Sequence, residues 1–407
     1  MQLKQVHLAT MLAAIVIVSG AFAQRAVMFE PTAPQPGSSP VVLKPYAELM
    51  GVYDDNITRA SDNTIDDIYG QATAGLRLQY VGSMISLTGA GFVSRRAYHD
   101  TSRLDFTSVG QALQLQYGHR DQYEIRIRQG IRRIEDTDTH GSDTVVGNVS
   151  PDSALDVASS SERTIMQVSA LVGKNVTDKS EVDASYRFDS VDYEASQLLT
   201  LRTQTAQLEA ATALTDKSAV ILVLRGGLQS LESLDDDADF YAAQIGVKTR
   251  STEKLRLRAA GGFQQYNRPG DADSIDAASF DIQALLAATD KVTLRAGSRN
   301  GTQLSSSVRG NTTEFTTVFI GASLQASTAL RISANAAYRE DEYVDTVIIN
   351  GVPTDRTDKG TSLSLRAAYQ TMSEMLKVIS EISYSDIDSD AGDYDQTRVS
   401  IAAQLQF

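Results

Sequence analysis

Apolar and polar side chains alternate with a period of two along most of this chain. In the closing segment "RVSIAAQLQF", Val399, Ile401, Ala403, Leu405 and Phe407 fall on one face, while Arg398, Ser400, Gln404 and Gln406 fall on the other. The segments "SLSLRAAYQ" (362–370), "LRLRAAGGF" (255–263) and "YEIRIRQGI" (123–131) do the same. Successive side chains on a strand point to opposite faces, so each segment is predicted to be a strand with one apolar and one polar face. Beyond residue 44 no run approaches the roughly 18 apolar residues of a membrane-spanning helix.

A second regularity sets the length of the repeating unit. Thr-acid-Lys recurs at Thr177, Thr215, Thr252 and Thr289, in steps of 38, 37 and 37 residues. A period of that size marks one supersecondary unit laid down repeatedly. Each copy lies between two alternating runs, as a tight polar turn whose Thr and acid can bond the local backbone. The unit is therefore a long antiparallel hairpin. Short turns are predicted near Gly82, Gly118, Asp178, Asp216, Glu253, Asp290, Thr328 and Ser373. They alternate with longer loops at 55–64, 99–103, 136–161, 194–198, 232–238, 267–274, 304–311, 341–360 and 386–393. Pro151, Pro269 and Pro353, the prolines after Pro45, fall in these loops, and Asn350-Gly351 is a hairpin signal within one of them. The parse gives about 18 strands, or 16 if an end hairpin is misread.

A soluble sandwich turns about every 8–12 residues. Longer strands with short turns on one side only predict an all-β, transmembrane antiparallel β-barrel, closed because a bilayer satisfies no open sheet edge. The short turns would be periplasmic and the long loops extracellular. A β-solenoid is the structural rival. At the start, Lys4, the apolar run 8–20 and "AFA" (21–23) fit a cleaved signal peptide over 1–23. Residues 24–44 hold Pro31, Pro34, Pro36 and Pro40 and read as a periplasmic linker, leaving 45–407 for the barrel. These features place the chain in the outer membrane of a Gram-negative cell. The absence of cysteine rules out a disulfide framework, and a net charge of −14 disfavours nucleic acid as a partner.

The polar face concentrates arginine: Arg77, Arg126, Arg128, Arg187, Arg225, Arg256, Arg258, Arg295, Arg331, Arg366 and Arg398. Arg77, Arg256, Arg258, Arg295 and Arg331 stand within about five residues of a short turn, so a basic periplasmic half of the lumen below an acidic mouth is expected. Two readings stay open. The guanidiniums pack a water-compatible wall against inward acids such as Glu124 and Asp183, or they form a constriction that attracts anionic solutes or polymers. Tyr53, Tyr98, Tyr193, Tyr338 and Tyr384, each next to or shortly before acids, are the predicted outer aromatic girdle. "DIDSDAG" (386–392) lacks the glycine and closing Glu of a calcium loop, and no metal or cofactor is expected. "HGS" (140–142) echoes the His-x-Ser of outer-membrane lipid hydrolases, but geometry rather than spacing defines such a site, and no enzyme is predicted.

Two stretches resemble known patterns. Phe407 with Leu405, Ala403 and Ile401 resembles the signal read by the barrel assembly machinery, which would be a partner beside outer-membrane lipid and lipopolysaccharide. "PYAELMGVYDDNITRA" (45–60), with Tyr53-Asp54-Asp55-Asn56, resembles the opening of the β-barrel porin 2 family. That resemblance implies an outer-membrane barrel serving exopolysaccharide export, a polysaccharide and periplasmic export proteins as partners, and no catalytic residues. The expected function is a porin-like channel for polysaccharide or anionic solutes. The rival is a plugged barrel that anchors a partner at the cell surface.

Overall fold

The structure is a computed structural model describing residues 41–59, 63–119, 123–135, 162–193, 200–232, 237–250, 252, 254–270, 273–305, 311–349, 352–371, 375–390 and 392–407. Its strands are β1 (Val41–Asp54), β2 (Asp67–Val81), β3 (Ile85–Tyr98), β4 (Phe106–His119), β5 (Tyr123–Glu135), β6 (Glu162–Thr177) and β7 (Ser180–Tyr193). There follow β8 (Leu201–Thr215), β9 (Ser218–Leu231), β10 (Ala238–Thr249), β11 (Leu255–Asn267), β12 (Ile275–Ala287), β13 (Val292–Leu304), β14 (Thr312–Gln325) and β15 (Leu330–Tyr343). The chain ends with a small hairpin, β16 (Val347–Ile349) and β17 (Val352–Thr354), then β18 (Thr357–Gln370), β19 (Leu376–Ser389) and β20 (Tyr394–Gln406).

All strands but those of the hairpin join one 18-stranded antiparallel sheet, and β1 pairs with β20, so the sheet closes without a free edge. Following paired residues once around from Val41 returns to β1 roughly 22 positions nearer the outer end, which sets a strand tilt of about 40° and a backbone diameter of about 36 Å. A barrel of this size leaves an aqueous lumen.

Register assigns the faces. On β1, Leu43, Leu49 and Tyr53 are exposed, whereas Tyr46, Glu48, Val52 and Asp54 point inward and are buried. The same parity exposes Ile127, Leu208, Ile245, Phe263, Ile320, Leu365, Ile382 and Ile401 around the outside. A continuous apolar exterior far exceeds what a soluble monomer shows. The short turns are held locally: Thr177, Thr215, Thr252 and Thr289 each accept through Oγ1 from the N–H two residues on, all at 3.2 Å. Ser327 plays the same part before β15.

Several expectations need correction. The first strand begins at Val41, inside the segment read as linker, and takes in Pro45, whose carbonyl accepts from the Phe407 N–H at 3.0 Å. Pro45 sits where β20 ends, so its missing N–H breaks no ladder bond there. β19 runs on to Ser389, so 386–389, expected in a loop, is extended strand. The hairpin expected within the 341–360 loop is present, and Pro353 belongs to it. Tyr53, Tyr338 and Tyr384 do face outward, but Tyr98 is buried against Tyr69 with ring centroids 4.9 Å apart, and Tyr193 shares the Arg187 face. An aromatic at a strand end does not fix its parity; the register does. Residues 1–40 and the 140–142 triplet lie outside the described residues.

Candidate functional site

The inward wall is the candidate site. Bulky inward rings are laid flat by glycines paired opposite them: Tyr46 on Gly75, Phe240 on Gly227, Phe319 on Gly297 and Phe315 on Gly301. A Cβ at Gly75 would stand 2.4 Å from the Tyr46 ring, and one at Gly297 would stand 2.5 Å from Phe319. Only glycine lets these rings lie along the wall rather than across the lumen.

All eleven sequence-selected arginines lie on inward-facing register positions, and nine of them fall into two sets by a partner they meet. Carboxylates meet Arg126 (Glu124), Arg187 (Asp189, 2.6 Å), Arg258 (Asp281, 2.5 Å, and Glu209, 3.1 Å), Arg366 (Glu381, 3.9 Å) and Arg398 (Asp54, 3.4 Å). Amide oxygens meet Arg77 (Gln406, 3.1 Å, and Gln404, 3.3 Å), Arg128 (Gln114, 2.8 Å), Arg295 (Asn335, 2.8 Å) and Arg331 (Gln325, 3.1 Å). Arg225 stands over the Phe240 ring. An amide oxygen orients a guanidinium without cancelling its charge.

Depth follows from register. Arg256 and Arg295 share one row across Leu285, with Arg258 one inward position higher. Arg331 pairs with Gln325, four residues below the row of Arg295 and Asn335, but the row itself climbs toward β15. With a tilt of about 40° the four guanidiniums stand within roughly 6 Å of one another in height.

Sequence reasoning missed Arg96, Arg163, Arg339 and Arg356. They face inward near the outer end, and Arg339 and Arg356 bind Asp341 and Asp358 at 2.8 and 2.7 Å. Arg356 precedes β18; burial pulls its pKa down, but the hydrogen bond and charge of Asp358 outweigh that and hold it above the ordinary value. Parity could have found them, since Arg339 matches Arg331 and Arg356 matches Arg366. Inward arginine therefore reaches from mouth to periplasmic end, and its outer members Arg339, Arg356 and Arg398 are each set against an inward carboxylate.

The barrel resembles solved outer-membrane structures. OccK1 (OpdK) of Pseudomonas aeruginosa is 12% identical with a TM-score of 0.46, over 90% of this chain and 99% of that one; OpdK was also crystallised with vanillate. OpdO of the same organism is 13% identical (TM-score 0.46, 90% and 97% covered), and OccAB4 of Acinetobacter baumannii is 11% identical (TM-score 0.46, 90% and 98%). The fold rests on the strand pairing, not on these likenesses. No family model and no curated protein matches the sequence, so Tyr53–Asn56 stays a resemblance and the exopolysaccharide role it implied has no match behind it.

Tyr53–Asn56 instead has a structural job. Asp54, fully buried, accepts from Gln396 Nε2 at 2.9 Å and from the Asn56 N–H at 3.1 Å, while Asn56 Nδ2 donates to the Asp395 carbonyl at 2.9 Å. Asp55 accepts from the Thr397 N–H at 2.6 Å. The motif clasps first strand to last at the outer rim.

Proposed function

We propose that this chain is an outer-membrane channel through which small anionic solutes diffuse. One observation carries the reading: among the described residues, the inward strand faces hold more guanidinium than carboxylate, although the whole chain is acidic at −14. Negative charge is exported to loops and outer rim, and positive charge lines the path. Guanidinium stays protonated at any physiological pH, so the wall is a permanent anion attractor. In this reading residues 1–23 direct export, Phe407 and its outward partners Leu405, Ala403 and Ile401 present the assembly signal, and lipopolysaccharide surrounds the rim.

Planar-bilayer recording tests the channel. Steady open-state conductance that rises with salt is expected; a barrel that inserts yet never conducts would instead be a plugged anchoring protein.

A further inference from the structure

A local hollow lies on the exterior among the described residues. A depression of about 690 Å³ crosses the closure seam on the outward face. Its floor is two adjacent register rows, one running Val378, Ala403, Leu49, Ala72, Arg95 and the next Ile401, Gly51, Gly70, Ala97. A Cβ at Gly51 or Gly70 would have no atom within 4 Å, so the floor is open where neighbouring outward faces carry Ile, Leu or Phe. Within these two rows the exposed side chains of Leu49 and Ile401 stand up from the small residues and wall the hollow.

Arg95 closes the upper end. It points outward from β3 with its side chain 56% exposed, and hydrogen-bonds Asp105 and Thr107, both at 3.2 Å. Those bonds use two of five guanidinium donors. Arg95 lies ten positions above the first residue of β3, roughly 25 Å up at this tilt, the height of the outer border of a barrel's apolar band. From Arg95 the floor descends about 3 Å per strand, or about 12 Å to Val378, close to one leaflet's half of a hydrocarbon core of about 30 Å.

We propose that this groove holds a phosphorylated glycolipid of the outer leaflet, its phosphate on Arg95 and one acyl chain over Gly70, Ala72 and Ala403; the inference rests on the outer-membrane reading above. A guanidinium that is half exposed, shared with Asp105 and Thr107 and still carrying free donors, set above an apolar trough, complements an anionic head with a tail. A second copy of the barrel would need an apolar ridge and no charge.

The test is native mass spectrometry of the full-length protein extracted from outer membranes in mild detergent, with purified lipid A added back to stripped protein. Wild type should retain about one glycolipid per barrel. Gly70→Leu, which fills the floor, and Arg95→Gln, which removes the charge and leaves the backbone alone, should each lower retention at least fivefold while conductance and heat-modifiable migration stay unchanged. Equal retention by all three proteins, equal binding of a zwitterionic phospholipid, or loss of a dimer rather than of lipid in Gly70→Leu would overturn the groove. Failure to conduct, or absence from the outer membrane, would strike the channel reading instead.

Discussion

Asp54 and Gln396 lie 342 residues apart and meet at 2.9 Å, with the Asp54 carboxylate fully buried. This contact joins the first strand to the last, where closure depends on the two ends of the chain finding one register. Asp54→Ala would remove the carboxylate that Gln396 Nε2 and the Arg398 guanidinium share, leaving them the Asn56 carbonyl and the Tyr69 hydroxyl, at a cost of about 3–5 kcal/mol for breaking a buried charged pair. The unfolding temperature read from heat-modifiable gel migration should fall clearly. Gln396→Ala should fall less, since Arg398 still faces Asp54. No shift for Asp54→Ala would mean the clasp is decorative.

Gly297 governs where the Phe319 ring lies. Gly297→Val would drive that ring off the wall and into the lumen, because a Cβ there meets it at 2.5 Å. Single-channel conductance should drop while the barrel still folds, with a destabilisation of about 1–3 kcal/mol from overpacking. Phe319→Ala added to Gly297→Val should restore conductance.

The turn threonines are independent small contributions. Each Thr→Ala at 177, 215, 252 or 289 removes an acceptor for one or two turn N–H groups and should cost about 1 kcal/mol; Thr→Ser should be near neutral. A fourfold Ala variant that unfolds at the wild-type temperature would remove the turns from the account.

Strands, turns and the inward arginines were legible because each depends on neighbours in sequence: parity, a local Thr bond, a nearby turn. Partners were not. Whether Arg258 meets Glu209 or Arg77 meets Gln406 depends on how strands are staggered, and stagger accumulates around the barrel. Tyr98 and Tyr193 were misread for the same reason, since a girdle was inferred from position along the strand and not from face. The clasp was invisible for a further reason: Tyr53–Asn56 looked like a family signature, and its partners Asp395, Gln396 and Thr397 are at the opposite end of the chain.

The central claim is that the lumen prefers anions although the chain is acidic. Reversal potential in a tenfold salt gradient across a planar bilayer measures it directly. Wild type should give the sign of anion selectivity. Replacing Arg256, Arg258, Arg295 and Arg331 together by Gln should move the potential toward zero or past it, as the positive girdle within roughly 6 Å of height is removed. Cation selectivity in the wild type, or an unchanged potential in the fourfold variant, would contradict the account and leave those arginines as wall packing.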